Sequence, residues 1–327
     1  MIQRILIWQN GQLGKQNSPK AAKDALRDPQ ALVWLDLQGD ISPCAGLLAD
    51  AFHLSPITIE TMQEEHERAK FVEGHDYFYL VTHGLTFDAE TEESDTPKLD
   101  IVFARNFVIT SHRAALPWLD ALRTSVRAGK SDADIMGRGM SRLLHAILDT
   151  QVDSYFPALD EIDGVIDDLE DATVNNATDA VQGRIFRLKR TVALLRRVIS
   201  PQVEVANSLI ARTGEVIPTE VEPYFADMHD HLIRAFEILD SYRDLMSGLL
   251  DVYLSTVSNR LNAVMKQLTI IATIFMPITF ITGVFGQNFA HPPQVEHDNG
   301  YMFWYVLLGM AVITAAQIWY FKRRGWL

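Results

Sequence analysis

The sequence predicts an α/β cytosolic domain followed by long helices and two C-terminal transmembrane helices. Three observations predict it. Residues 1 to about 115 alternate short β-branched and aromatic runs with short helical stretches, helical spacing persists from Leu116 onward, and two apolar stretches without a charge close the chain. The 327 residues are 48% hydrophobic, ordinary for globular structure and enough for two domains, which excludes a disordered or collagen-like chain.

In the first segment, strands are expected at Ile5–Trp8, Ala31–Leu37, Tyr77–Leu85, Leu99–Ala104 and Phe107–Ser111, the last two joined by the turn residues Arg105-Asn106. Helices are expected at Pro43–His53 and Pro56–Glu65, and Asp88–Lys98 reads as a solvent loop or hairpin tip. No glycine-rich phosphate loop or nucleophile elbow appears in the sequence, so nothing suggests catalysis. The single cysteine, Cys44, allows neither an intrachain disulfide nor a pair of thiolates for zinc. The apolar run near the N-terminus ends at Gln9-Asn10, too short for a secretory segment, which places this domain in the cytosol.

Residues 116–222 are expected to form charged helices. Asp160–Asp171 holds seven acids, with Asp160, Asp163, Asp167 and Asp171 on one face, and after the break at Thr173–Thr178 comes the basic, half-apolar run Arg184–Arg197. A helical hairpin would set the two faces near each other; the acidic one is either a solvated surface or an attractor of hydrated divalent cations. Apolar positions from Phe225 to Tyr253 recur three and four apart, and no proline interrupts until Pro277, so one helix from about Tyr224 to Phe285 is expected, about 90 Å long at 1.5 Å per residue. His229 and His231 lie about 200° apart on that helix and cannot share one ion.

The spans are the uncharged 19-residue run Leu268–Gly286, closing a segment (223–287) that joins stalk to membrane, and the second at 301–321. Each suffices to cross the ~30 Å hydrocarbon layer. Tyr301, Phe303, Trp304 and Tyr305 open the second and Trp319, Tyr320 and Phe321 close it, an aromatic belt at each interface. Lys322, Arg323 and Arg324 in the tail 322–327 place that end in the cytosol, and an even number of spans returns the N-terminus to the same side. The expected location is a multi-pass protein of the cell membrane, the inner one in a bacterium, with only residues 288–300 facing outward. Net charge is −13, from 29 Lys and Arg against 42 Asp and Glu, which argues against nucleic acid and for cationic partners.

On a helical wheel, Ser258, Asn262, Met265, Thr269, Ala272, Met276, Thr279 and Gly283 form one stripe, with Ile271, Ile274, Ile278, Ile281 and Phe285 opposite. The stripe is either a helix-packing seam or the wall of a water-filled path on an oligomer axis, since two spans alone enclose nothing.

The run Met276-Pro277-Ile278-Thr279-Phe280-Ile281-Thr282-Gly283-Val284-Phe285-Gly286-Gln287-Asn288, the short outer loop, the second span and the ending Phe321-Lys322-Arg323-Arg324-Gly325-Trp326-Leu327 resemble the CorA metal ion transporter superfamily, including its zinc-transporting branch. The resemblance implies a funnel-shaped homopentamer in the lipid bilayer, with the first span of each subunit lining the pore. It implies that Asn262, Met265, Leu268, Met276, Thr279 and Asn288 line the pathway, and the wheel independently adds Thr269 and Gly283. It further implies that divalent ions between neighbouring cytosolic domains hold the pore closed, through Asp227 near the start of the stalk and an acid of the α/β domain, for which Asp88 is the candidate.

The outer motif departs from the family's usual Gly-Met-Asn: it reads Gly286-Gln287-Asn288. Gly286 is expected to end the helix at positive φ, and Asn288 to offer amide oxygens to a hydrated hard cation. Gln287 adds an amide where methionine is usual, which leaves Mg²⁺, Co²⁺, Ni²⁺ and Zn²⁺ all open. His291 and His297 in the loop read as ordinary exposed residues or as a mild preference for a borderline metal; Glu296 and Asp298 read as solubilising acids or as a cation-concentrating mouth. No resident cofactor is expected; the divalent cation is cargo or regulator. The alternatives to a cation channel are a non-conducting membrane-anchored scaffold and a membrane-bound hydrolase, for which no nucleophile and base are found.

Overall fold

The computed structural model describes residues 2–14, 18–128, 135–212, 217–287 and 301–326. The expected outer-loop residues Asn288, His291, Glu296, His297 and Asp298 lie outside them. The chain divides into two compact units, Met1–Leu250 and Asp251–Leu327.

The first unit is built on seven strands: β1 (Ile2–Gln9), β2 (Gln12–Leu13), β3 (Leu32–Gln38), β4 (Lys70–Glu73), β5 (Phe78–His83), β8 (Lys98–Ala104) and β9 (Phe107–His112), in spatial order β2-β1-β3-β9-β8-β5-β4. Only β3 and β9 run parallel. All five expected strands are present. The edge strands β2 and β4 were not anticipated: they are short, and Glu73 and Val72 on β4 are exposed, so neither carries a buried pattern to read.

Helices α1 (Pro19–Ala25), α2 (Ala45–Phe52) and α3 (Pro56–Gln63) cover one sheet face, where Val33, Leu35, Leu37, Leu48, Phe52 and Ile109 share a core. Ser18 caps α1 and Ser55 caps α3, each accepting an N–H three residues on, ahead of a proline in the first turn. Helices α4 (Pro117–Ala128), α5 (Met140–Asp153), α6 (Tyr155–Asn176) and α7 (Asp179–Ile210) follow. Polar side chains tie three of them to β5: Thr82 Oγ1 donates to Gln151 Oε1 (2.9 Å), Tyr155 Oη to the His83 carbonyl (2.5 Å), and Gln202 Oε1 accepts from His83 N (3.2 Å). Because both faces are covered, β3 is buried almost throughout, including Asp36 at 1% exposure.

Asp36 is held by charge. Arg123 of α4 stands 2.7 Å away, His112 Nε2 3.2 Å and Arg4 3.3 Å, and Thr110 donates to it at 2.8 Å. Burial opposes its ionisation, but His112, Thr110 and Arg123 outweigh that and keep the carboxyl below its usual range.

The polar stretch after β5 is a hairpin, β6 (Thr86–Asp88) with β7 (Glu93–Asp95), and its tip is not all solvent. Glu92, at φ 60°, is buried against α7, where its carboxylate pairs with Arg184 and with Arg187 at 3.5 Å while Thr191 donates to its carbonyl. This corrects the expected pairing of α7 with the acidic face of α6. Among the described residues, the ion pairs of α7 go to Glu92 and, from Arg196, to Asp240 (2.9 Å) on α8 (Glu222–Phe285), while Asp160, Asp163, Asp167 and Asp171 remain exposed. Each helix buries an apolar stripe, with Ile162 and Leu169 on α6 and Leu188 and Leu195 on α7.

Helix α8 is unbroken over 64 residues and accommodates Pro277. The second unit contains its C-terminal part and α9 (Tyr301–Arg323). The cytosolic ends of the two are joined by Lys266 Nζ, which donates to the Gly325 carbonyl at 2.9 Å, with Trp326 stacked on Phe321.

Candidate functional site

Helices α8 and α9 are both long and apolar enough to span a membrane, and only 6% and 0% of their most apolar windows is buried. That separates them from core helices of a soluble domain, which hide such surface. Within the second unit, Asn262, Met265, Leu268, Thr269, Met276, Thr279 and Gly283 are all exposed, Met276 at 70%. Ile270 is buried, and Ile274, Pro277, Ile278 and Ile281 are half-buried. Ile271 and Phe285 of the isoleucine face are exposed, so that face is only partly covered, and Gln317 of α9 donates to the Thr273 carbonyl at 3.0 Å. Thr269 donates its hydroxyl hydrogen to the Met265 carbonyl (2.7 Å), as a threonine in a helix can.

Gly286 ends α8 differently from the expectation. Its φ is not among the positive ones; the reason for glycine is space, because a Cβ there would lie 2.9 Å from the Thr282 carbonyl oxygen. Gly286 N still bonds to that carbonyl (2.9 Å), so the helix is closed by tight backbone approach and not by a left-handed turn. Gln287 is exposed at the end of the described segment, and Asn288 lies beyond it.

In the first unit, ligand atoms of Asp149, Asp153 and His231 lie within 4.8 Å of one another. Asp149 and Asp153 sit one turn apart on α5, and His231 faces them from α8, its Nδ1 3.5 Å from Asp153. Asp227 lies one turn before His231 on the same face of α8, and its charge is felt by both Asp149 and His145. Burial, reinforced by the negative charges of Asp153 and Asp227, pushes the Asp149 carboxyl above its ordinary range against the pull of His145 and His231. Two carboxylates and an imidazole fit a borderline divalent metal directly and a hydrated Mg²⁺ through its water.

The sequence reading had Asp227 but neither Asp149 nor Asp153, although their four-residue spacing was available. Asp88 is not drawn into this group. It is exposed and accepts from Glu90 N at 2.9 Å inside its own turn. His229 is held apart from His231, beside Asp230 at 3.7 Å.

An α/β domain rich in acids, one long helix that continues into the first of two C-terminal spans, and an uncharged stripe carrying Asn262, Thr269 and Thr279 along it fit a membrane transport protein. Residues 29–323 match the CorA-like Mg²⁺ transporter protein family, and the chain belongs to that family. It is similar to the cobalt/magnesium transport protein CorA of Thermotoga maritima (35% identity over 305 residues, 92% of this chain and 85% of that protein). It is also similar to the putative metal ion transporter YfjQ of Bacillus subtilis (32%, 90% of each chain). Its fold matches the complete CorA magnesium transporter of Methanocaldococcus jannaschii (TM-score 0.79, 24% identity, 90% of this chain and 92% of that one). The full-length CmaX protein has the same fold (TM-score 0.76, 22% identity, 98% and 96%).

Proposed function

We propose that the chain assembles as a homopentamer in the bilayer and conducts divalent cations through a central path lined by the first span. The observation that carries this is the exposed stripe Asn262, Met265, Leu268, Thr269, Met276, Thr279 and Gly283 on a span with no charge between Lys266 and its outer end. Its amide at Asn262 and its hydroxyls at Thr269 and Thr279 are better satisfied by water or protein than by lipid, and such a surface suits water moving with an ion. Asn288, beyond Gly286 and Gln287, supplies the outer ring of amide oxygens, and Glu296 and Asp298 concentrate cations at the mouth. The cargo belongs to the set Mg²⁺, Co²⁺, Ni²⁺ and Zn²⁺, of which cobalt and magnesium appear in the names of the relatives. A non-conducting scaffold is not favoured, because relatives aligned over nine-tenths of the chain carry transporter names.

The cytosolic regulatory site in this reading comprises Asp149, Asp153 and His231, with Asp227 one turn from His231. Divalent ion bound there opposes conduction when the internal concentration is high, and Asp88 is a weaker candidate contributed by a neighbouring subunit. The test is uptake of Mg²⁺, Co²⁺, Ni²⁺ and Zn²⁺ into vesicles holding the purified chain, with and without a pH gradient. Flux of at least one of these ions, blocked by Asn288→Ala in an intact oligomer, supports the reading. No flux of any of the four overturns it.

A further inference from the structure

Proline has no N–H, so a proline inside a helix strands the carbonyl four residues earlier. In α8 the proline is Pro277 and that carbonyl belongs to Thr273. It is the carbonyl to which Gln317 Nε2 donates, at 3.0 Å, from the second span. In hydrocarbon no water replaces a lost partner, and a bare carbonyl there costs several kcal/mol. A glutamine in a span is itself expensive, and here its Oε1 is enclosed with no hydrogen-bond partner, so its place in the helix is explained by the hydrogen it gives. Thr314, one turn earlier on α9, spends its hydroxyl on its own helix, donating to Met310 O at 2.9 Å. An open groove lined by Thr269, Thr273, Met276, Pro277 and Gln317 borders this junction.

We propose that Gln317 is a positioning residue for the cation path: its side-chain amide replaces the N–H that Pro277 lacks and fixes the first span at the turn that carries Met276. The inference rests on the pore reading above only for its effect on flux. The stabilising bond between the spans stands without it.

The experiment is a double-mutant cycle in the full chain. Gln317→Leu leaves the Thr273 carbonyl stranded. Pro277→Ala returns a backbone N–H to it and makes the glutamine unnecessary; Pro277→Ser does the same should the alanine variant not assemble. Interhelical hydrogen bonds in membranes contribute up to ~1.7 kcal/mol, so Gln317→Leu alone is expected to lower the maximal rate of Mg²⁺ or Co²⁺ uptake by roughly three- to fifteenfold with the half-saturating concentration unmoved. In the Pro277→Ala background the same change is expected to alter the rate by less than about twofold. Thermal unfolding of the four detergent-purified proteins is read alongside and should show the same non-additivity. Equal losses in both backgrounds mean that Gln317 acts by packing alone, and they overturn the proposal. A wild-type chain that carries no ion sinks the pore reading, while the thermal cycle still decides whether Gln317 serves the Thr273 carbonyl.

Discussion

Replacing Asp149 with asparagine isolates the cytosolic ion site, because it removes one ligand and leaves the side-chain volume unchanged. Three ligand atoms within 4.8 Å of one another put an ion at their centre no farther than about 2.8 Å from each, against ~2.1 Å for a direct Mg²⁺–oxygen bond. Small side-chain rotations close that gap, and a bridging water fills it where they do not. Losing one charged contact costs about 1.5–3 kcal/mol, or roughly 10- to 150-fold in affinity. The assay is the unfolding temperature of the full chain against Mg²⁺ or Co²⁺ concentration. An ion at a hundred times its Kd stabilises the wild type by about 2.7 kcal/mol, whereas a hundredfold loss of affinity leaves about 0.4 kcal/mol at the same concentration. The ion-free variant should be no less stable than the wild type, since the raised pKa of Asp149 means that its charged form is disfavoured on folding. An unchanged ion-dependent shift in Asp149→Asn would falsify the site.

Four further outcomes are expected. Gly286→Ala should distort the outer end of the first span, because its Cβ meets the Thr282 carbonyl at 2.9 Å, and cut cation uptake by about tenfold or more; full activity would show that the closure is pliable. Gln287→Met should move ion preference toward Mg²⁺, read as competition of Co²⁺ and Mg²⁺ for uptake, and identical selectivity would show that this position does not read the ion. Arg123→Met should destabilise the first unit by about 3 kcal/mol, the low end for breaking a buried pair because Arg4 and His112 stay beside Asp36. The sign with pH follows from the lowered carboxyl: Asp36 contributes fully above its unfolded value of about 4, and that stability is lost as pH falls further toward the folded value. Asp36→Asn should therefore flatten the acid limb of the stability curve measured by denaturant unfolding.

What could be read from residue order alone was whatever repeats along one helix or strand. The long helix, the two spans and the exposed stripe are periodic, and they are present in the structure with ends shifted by one or two residues. What needed two elements at once was hidden. Asp36 lies in the apolar run Leu32–Gln38, and nothing local shows that Arg4 and Arg123 reach it. His231 and Asp149 are on different helices, and the conspicuous acids of α6, which drew attention first, stay in solvent. Gly286 was read by the commonest reason for a glycine at a helix end; the less common one, lack of room, requires knowing where the Thr282 carbonyl sits.

Thr269 gives its single hydroxyl hydrogen to the Met265 carbonyl, and the oxygen is left with lone pairs alone. In the pentamer proposed above, symmetry would repeat that oxygen around the axis as a collar of acceptors without donors. Water bound to a cation points its hydrogens outward and finds partners on such a collar, whereas water bound to an anion points its oxygens outward and finds none. Such a wall would tell the sign of an ion without one charged side chain and without gripping the ion strongly enough to stop it. Thr269→Val removes those lone pairs at nearly constant volume, and chloride exclusion would be the property to watch.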